Sequence, residues 1–133
     1  MNKDEQQRYF ELQLLSQQTN QIKQQIDRLD QQILELKALK QSINEISKLK
    51  QGTEILVPLG SGIFTKADIK EPTNLLMNVG ANTIIHKNNQ DSEKIIDIQI
   101  KEIQGIMTQM ELEFQKCVIQ AEAIQEELSK EKQ

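Results

Sequence analysis

The chain has 133 residues, 37% of them hydrophobic and only 3% aromatic, with no tryptophan and a formal net charge of −4. That is one domain's worth of material, without the aromatic bulk that fills a compact globule. The charge is +1 over residues 1–50, zero over 51–90 and −5 over 91–133, which excludes the concentrated basic surface that a nucleic acid backbone requires.

Residues 4–51 are expected to form one helix. Leu12, Leu15, Thr19, Ile22, Ile26, Leu29, Ile33 and Leu36 alternate spacings of three and four, the mark of a helix that packs along a narrow seam. Twelve glutamines in the first 51 residues keep its surface soluble without fixed charge. Leu36 to Leu39 is a second step of three, followed by Ile43, Ile46 and Leu49. A slip of phase is therefore expected near Leu39 and Lys40, either as a local change of winding or as a new face turned to a third element. Gly52 ends the helix, consistent with a glycine just past the last turn.

Between Gly52 and Gly80 the residue types change, and both prolines fall there. Ile55–Leu59 and Ile63–Ile69 flank Gly60-Ser61-Gly62 and read as a β-hairpin, with Ile63, Thr65, Ala67 and Ile69 on one face. Pro58 marks an edge or a bulge. Leu75–Val79 and Thr83–Lys87 flank Gly80-Ala81-Asn82 as a second hairpin. Two such hairpins are marginal in water alone, so the segment 52–88 is the expected assembly module. A second helix follows over 91–131, with Asp91 or Ser92 as its N-cap. Its seam is Ile96, Ile100, Ile103, Met107, Met110, Phe114, Cys117, Ala121, Ile124 and Leu128. Matching the helix lengths predicts an antiparallel pair with Leu15 opposite Leu128, Leu29 near Phe114 and Lys50 opposite Ser92. The expected fold class is mainly α with a little β: a single domain, 1–133, whose two-helix antiparallel coiled coil is joined by two hairpins.

The order helix, hairpin, hairpin, helix resembles the prefoldin family, specifically its α-type subunit. The residues that carry the resemblance are Leu56-Val57-Pro58-Leu59-Gly60-Ser61-Gly62-Ile63-Phe64 and the stretch from Leu75 to Lys87; the helices match in length and heptad character. The resemblance implies a hexamer of two such chains with four smaller, single-hairpin β-type subunits. Their hairpins would build an inter-subunit β-barrel platform, here through Leu56, Val57, Leu59, Ile63, Phe64, Leu75, Leu76, Met77, Val79, Ile84 and Ile85. It also implies ATP-independent capture of unfolded proteins at the coiled-coil tips and delivery to a group II chaperonin.

At those tips Leu12, Leu15, Ile124 and Leu128 fit the seam, as packing or as client contacts. Tyr9, Phe10, Leu14 and Ile119 fall off it and form a candidate exposed apolar patch. Tyr9 and Phe10 serve equally as a staple closing the helix end. The candidate client-binding set is thus Tyr9, Phe10, Leu12, Leu14, Ile119, Ile124 and Leu128.

Catalysis is not expected. His86 and Cys117 are the only histidine and cysteine, leaving no partner for a metal or nucleophilic site; Cys117 reads as a seam residue. Gly60-Ser61-Gly62 lacks the Gly-Lys-Ser/Thr of a phosphate-binding loop. No cofactor, metal or nucleic acid partner is expected. No apolar run approaches the ~20 residues of a membrane span, and the first residues carry no signal-peptide core, so the expected location is cytoplasmic. The alternative function is a structural coiled-coil adaptor that dimerises through its β segment.

Overall fold

The computed structural model describes residues 2–131. Helix α1 spans Lys3–Ser47, followed by strands β1 (Glu54–Gly60), β2 (Ile63–Asp68), β3 (Asn74–Asn78) and β4 (Ile84–Asn88), and helix α2 spans Asn89–Glu131. The chain divides into two compact units, one of residues up to Leu34 and from Lys101 onward, the other Glu35–Ile100.

In the first unit the amino-terminal part of α1 packs against the carboxyl-terminal part of α2. Asn2 caps α1, its Oδ1 accepting from the Glu5 N–H at 2.8 Å, and Asp4 and Glu5 place negative charge on the positive end of the helix dipole. Leu12, Leu15, Thr19, Ile22, Ile26, Leu29 and Ile33 are withdrawn from solvent, as are Ile103, Met107, Met110, Phe114, Cys117, Ala121, Ile124 and Leu128, while their chain neighbours, Val118 excepted, are exposed. Both seams follow the expected spacing. The Thr19 hydroxyl donates to the Leu15 carbonyl one turn back, which satisfies a polar group on an otherwise apolar line.

The register differs from the one predicted. Arg8 Nε lies 3.3 Å from Glu127 Oε2, and Cys117 Sγ lies 4.0 Å from Gln18 Oε1. The helices are antiparallel, but Leu128 lies level with Arg8 rather than Leu15, a displacement of about one heptad. A seam that repeats every seven residues packs almost equally well after such a shift, so helix lengths alone do not discriminate.

In the second unit the carboxyl-terminal part of α1 and the amino-terminal part of α2 carry the hairpins. The predicted slip of phase is absent. Leu39 is 48% exposed, and the seam runs from Leu36 through Lys40 to Ile43. The Lys40 ammonium contacts both carboxylate oxygens of Asp97, at 2.9 and 3.1 Å. Lysine can hold a seam position because its aliphatic stem packs while its charged end is paired. The Asp97 hydrogen bond, reinforced by the Asp97 and Glu93 charges, raises the Lys40 pKa despite the opposing desolvation.

Helix α1 stops at Ser47, short of the expected Gln51. Lys48 and Leu49 donate to carbonyls three residues back, and the Ser47 hydroxyl takes the Asn44 carbonyl at 2.6 Å, so the last turn tightens and unwinds. Gly52 adopts φ +87° and donates to the Ile69 carbonyl at 2.7 Å. It thus serves the entry to β1 rather than the end of the helix. At the other junction the N-cap is Asn88, not Asp91 or Ser92. Its Oδ1 accepts from the Asp91 N–H at 2.7 Å, and its carbonyl accepts the Ser92 hydroxyl at 2.9 Å, so α2 starts directly at the end of β4.

The strands form two separate two-stranded sheets, β1–β2 and β3–β4. In the first, Glu54 to Pro58 pair with Asp68 to Phe64, then Gly60 pairs with Ile63. Leu59 is the extra residue, a bulge beside the proline that cannot donate to the ladder. Of the face expected from Ile63, Thr65, Ala67 and Ile69, only Ala67 and Ile69 are withdrawn from solvent. In the second sheet Asn74 to Asn78 pair with Asn88 to Ile84. The Thr83 N–H closes the turn onto the Gly80 carbonyl at 2.9 Å, with Ala81 and Asn82 at φ +51° and +58°. Both central residues are left-handed, as a tight hairpin of matching twist demands, and alanine has no local compensation for that conformation.

Ala81→Gly or Ala81→Asn should therefore stabilise the chain by up to about 1 kcal/mol, and Ala81→Val should destabilise it by about 1–2 kcal/mol, read by denaturant unfolding of the full chain. In the first unit Leu128 is 6% exposed and Ile119 61%. Leu128→Ala should cost about 2–4 kcal/mol, whereas Ile119→Ala should stay within about 0.5 kcal/mol.

Candidate functional site

Two surfaces stand out, one in each unit. In the unit holding the chain ends, the heptad places Phe10, Leu14 and Ile119 away from the seam, at 60%, 46% and 61% exposure. Tyr9 is partly exposed and is not without a partner. Leu12 and Ile124 are half-buried and Leu128 is buried. The seven residues singled out from sequence thus separate: three packing groups in the seam, and four side chains that reach solvent. Tyr9 and Phe10 share the rim of a shallow depression of ≈ 320 Å³ with Gln6 and Gln13.

A larger groove lies beside the seam in the same unit. It has a volume of ≈ 620 Å³ and is lined by Glu11, Leu14, Leu15, Gln17, Gln18, Gln21, Gln120, Ala123 and Ile124. Leu14, Gln17, Gln18 and Gln21 recur along one flank of α1 at steps of three and four, and Gln120, Ala123 and Ile124 do so on α2, so helical periodicity alone aligns them. The groove's residues alternate apolar groups with uncharged amides, and Glu11 is its one charged lining residue. Sequence reasoning identified Leu14 and Ile124 here. It missed the amides, whose signal was the glutamine content of α1.

The second surface belongs to the hairpins. Leu56, Leu59, Ile63, Phe64, Leu76, Val79 and Ile84 are between 55% and 67% exposed, whereas Val57, Leu75, Met77 and Ile85 are half-buried. All eleven residues expected to mediate assembly lie in the unit of residues 35–100. Alternation explains the division: on β3 and β4 the cross-strand pair Met77 and Ile85 faces inward, and Leu76 and Ile84 face out. Seven large apolar side chains open to water on two-stranded sheets form a patch of the kind that pairs with other chains.

The remaining reactive groups sit apart. His86 is exposed on β4 opposite Leu76, and Cys117 is half-buried on the seam. Among the described residues no group of histidine, cysteine and acidic side chains is arranged to hold a metal ion, and no helix is long and apolar enough to cross a membrane.

The family model described as "Prefoldin subunit" matches residues 15–133. A prefoldin subunit alpha of Methanococcus maripaludis strain S2 is 34% identical over 99 residues, covering 74% of this chain and 65% of that protein. Its counterpart from strain C7 is 30% identical over 118 residues, 87% of this chain and 78% of that protein. Among solved structures, the filamentous PFD of Methanocaldococcus jannaschii, determined by cryo-electron microscopy, superimposes with a TM-score of 0.80 at 20% identity, covering 90% of this chain and 98% of that one; at that identity the likeness bears on the fold. Two long helices bracketing two open hairpins, and a family match that runs through both hairpins and all of α2, lead to one assignment: this chain belongs to the prefoldin family, as a chaperone subunit of the α type.

Proposed function

We propose that this chain works in the cytoplasm as the α-type subunit of an ATP-independent chaperone that captures unfolded proteins and passes them to a group II chaperonin. Two copies join four smaller β-type subunits that each bring a single hairpin. The segment 52–88 is the assembly module, its hairpins closing with those of the other subunits into a β-barrel platform. Closure removes strand edges that a two-stranded sheet leaves unpaired. No cofactor takes part in capture, and neither catalysis nor nucleic acid binding enters the cycle.

The observation that carries this proposal is the exposure of Phe10, Leu14 and Ile119 in a unit that contains no hairpin. Apolar side chains are thereby available for a client after the hairpin surface has been covered by other subunits. Each contact is small, so one chain binds weakly. Several chains on one platform raise the effective concentration and retain a client without a deep pocket, and weak individual contacts permit release to the next chaperone.

In the assembled complex, Phe10→Ser/Leu14→Ser/Ile119→Ser should reduce suppression of aggregation of several unrelated denatured proteins by at least about fivefold, with the native mass unchanged. Leu76→Glu/Ile84→Glu should do the reverse at the level of mass, breaking the complex while the helices keep their far-ultraviolet signal. Full protection by the triple variant would refute the assignment of capture to these residues. Binding of one defined partner without protection of any denatured protein would support the adaptor.

A further inference from the structure

Glutamine is the most distinctive residue of α1, and of the four glutamines that line the ≈ 620 Å³ groove three are, among the described residues, without a partner in the chain: Gln17 and Gln21 from α1 and Gln120 from α2. They border an apolar floor to which Leu14 and Ile124 contribute. All three are exposed, and among the described residues none is engaged in a hydrogen bond within the chain; the neighbouring Gln18 already faces the Cys117 thiol at 4.0 Å.

A carboxamide carries two N–H donors and one carbonyl acceptor, the complement of a peptide group. An unfolded segment brings main-chain donors and acceptors at every residue, whatever its side chains. In an extended segment alternate side chains point the same way. One apolar side chain can therefore enter between Leu14 and Ile124 while the flanking main chain lies along the amides. Uncharged partners impose no preference for acidic or basic clients. They also cost less to desolvate than lysine or glutamate in the same places.

We propose that Gln17, Gln21 and Gln120 are specificity-determining residues that hydrogen-bond the main chain of an extended client segment, so that the groove needs only one apolar side chain of that segment and is otherwise indifferent to its sequence. This rests on the chaperone function proposed above and assigns the substrate class of its groove.

A short apolar peptide with capped ends, and the same peptide N-methylated on alternate main-chain nitrogens, can be titrated into the assembled complex. Methylation removes donors and leaves the side chains in place. With the unmodified chain, methylation should weaken binding about tenfold. With Gln17→Ala/Gln21→Ala/Gln120→Ala the two peptides should differ by less than about twofold, because the partner amides are gone. With the corresponding glutamate variant, whose carboxylates still accept from peptide N–H groups, the methylation penalty should persist. An equal methylation penalty in the unmodified and alanine chains would overturn the proposal. Leu14→Ser separates the two levels of failure. If it weakens both peptides while the methylation penalty ignores the glutamines, the groove stands and the amide role falls. If it weakens neither, the groove and the amide role fall together.

Discussion

The width of the helical seam sets the terms for everything else in this chain. An apolar residue every three or four positions covers a narrow stripe on each helix, and within each unit that stripe is withdrawn from solvent. Each hairpin has only two strands with which to bury itself. The result is a division by position in the heptad. Side chains on the seam, such as Ile33, Ile96, Ile100 and Leu128, hold the chain together. Side chains off it, with the outer faces of the strands, stand open to other molecules.

That division also explains how uncharged and charged groups are used. Lys40 and Asp97 pair across the seam in one unit, and Arg8 and Glu127 meet in the other. The Lys40 side chain remains 40% exposed, so screening limits its contribution to stability. Such pairs discriminate between packings more than they strengthen any one of them. Around the groove the chain instead presents amides, with Glu11 the one charged lining residue.

Much of this was legible from residue order, and the exceptions have physical causes. The seam positions from Leu12 to Leu36 and from Ile96 to Leu128 followed from spacing, as did Pro58 beside a bulge and the two turns. The off-seam position of Phe10, Leu14 and Ile119 followed from the same count. Counting apolar residues, however, placed Leu39 on the seam and left Lys40 out, because a hydrophobic pattern cannot represent a lysine whose stem packs and whose charge is paired. The register was unreadable for a related reason: a seven-residue repeat is nearly invariant to a seven-residue shift, and the contacts that break the degeneracy are polar. The cap at Asn88 was concealed because the residue also ends a strand, and strand and helix were expected to be separated by a loop. The groove's amides were visible only as composition, since their convergence depends on the register.

Asn88 has a mechanical consequence. It closes the ladder opposite Asn74 and, through its side chain and carbonyl, organises the first turn of α2. No free residue lies between strand and helix, so bending there would have to break a cross-strand pair and a cap together. The other exit is built differently: between Ser47 and Glu54 the chain passes through a loosened turn and Gly52. The hairpins are therefore mounted with one stiff root and one compliant one. An angular change of the first hairpin relative to α1 falls on residues 48–53, while the β4–α2 joint moves as a single lever.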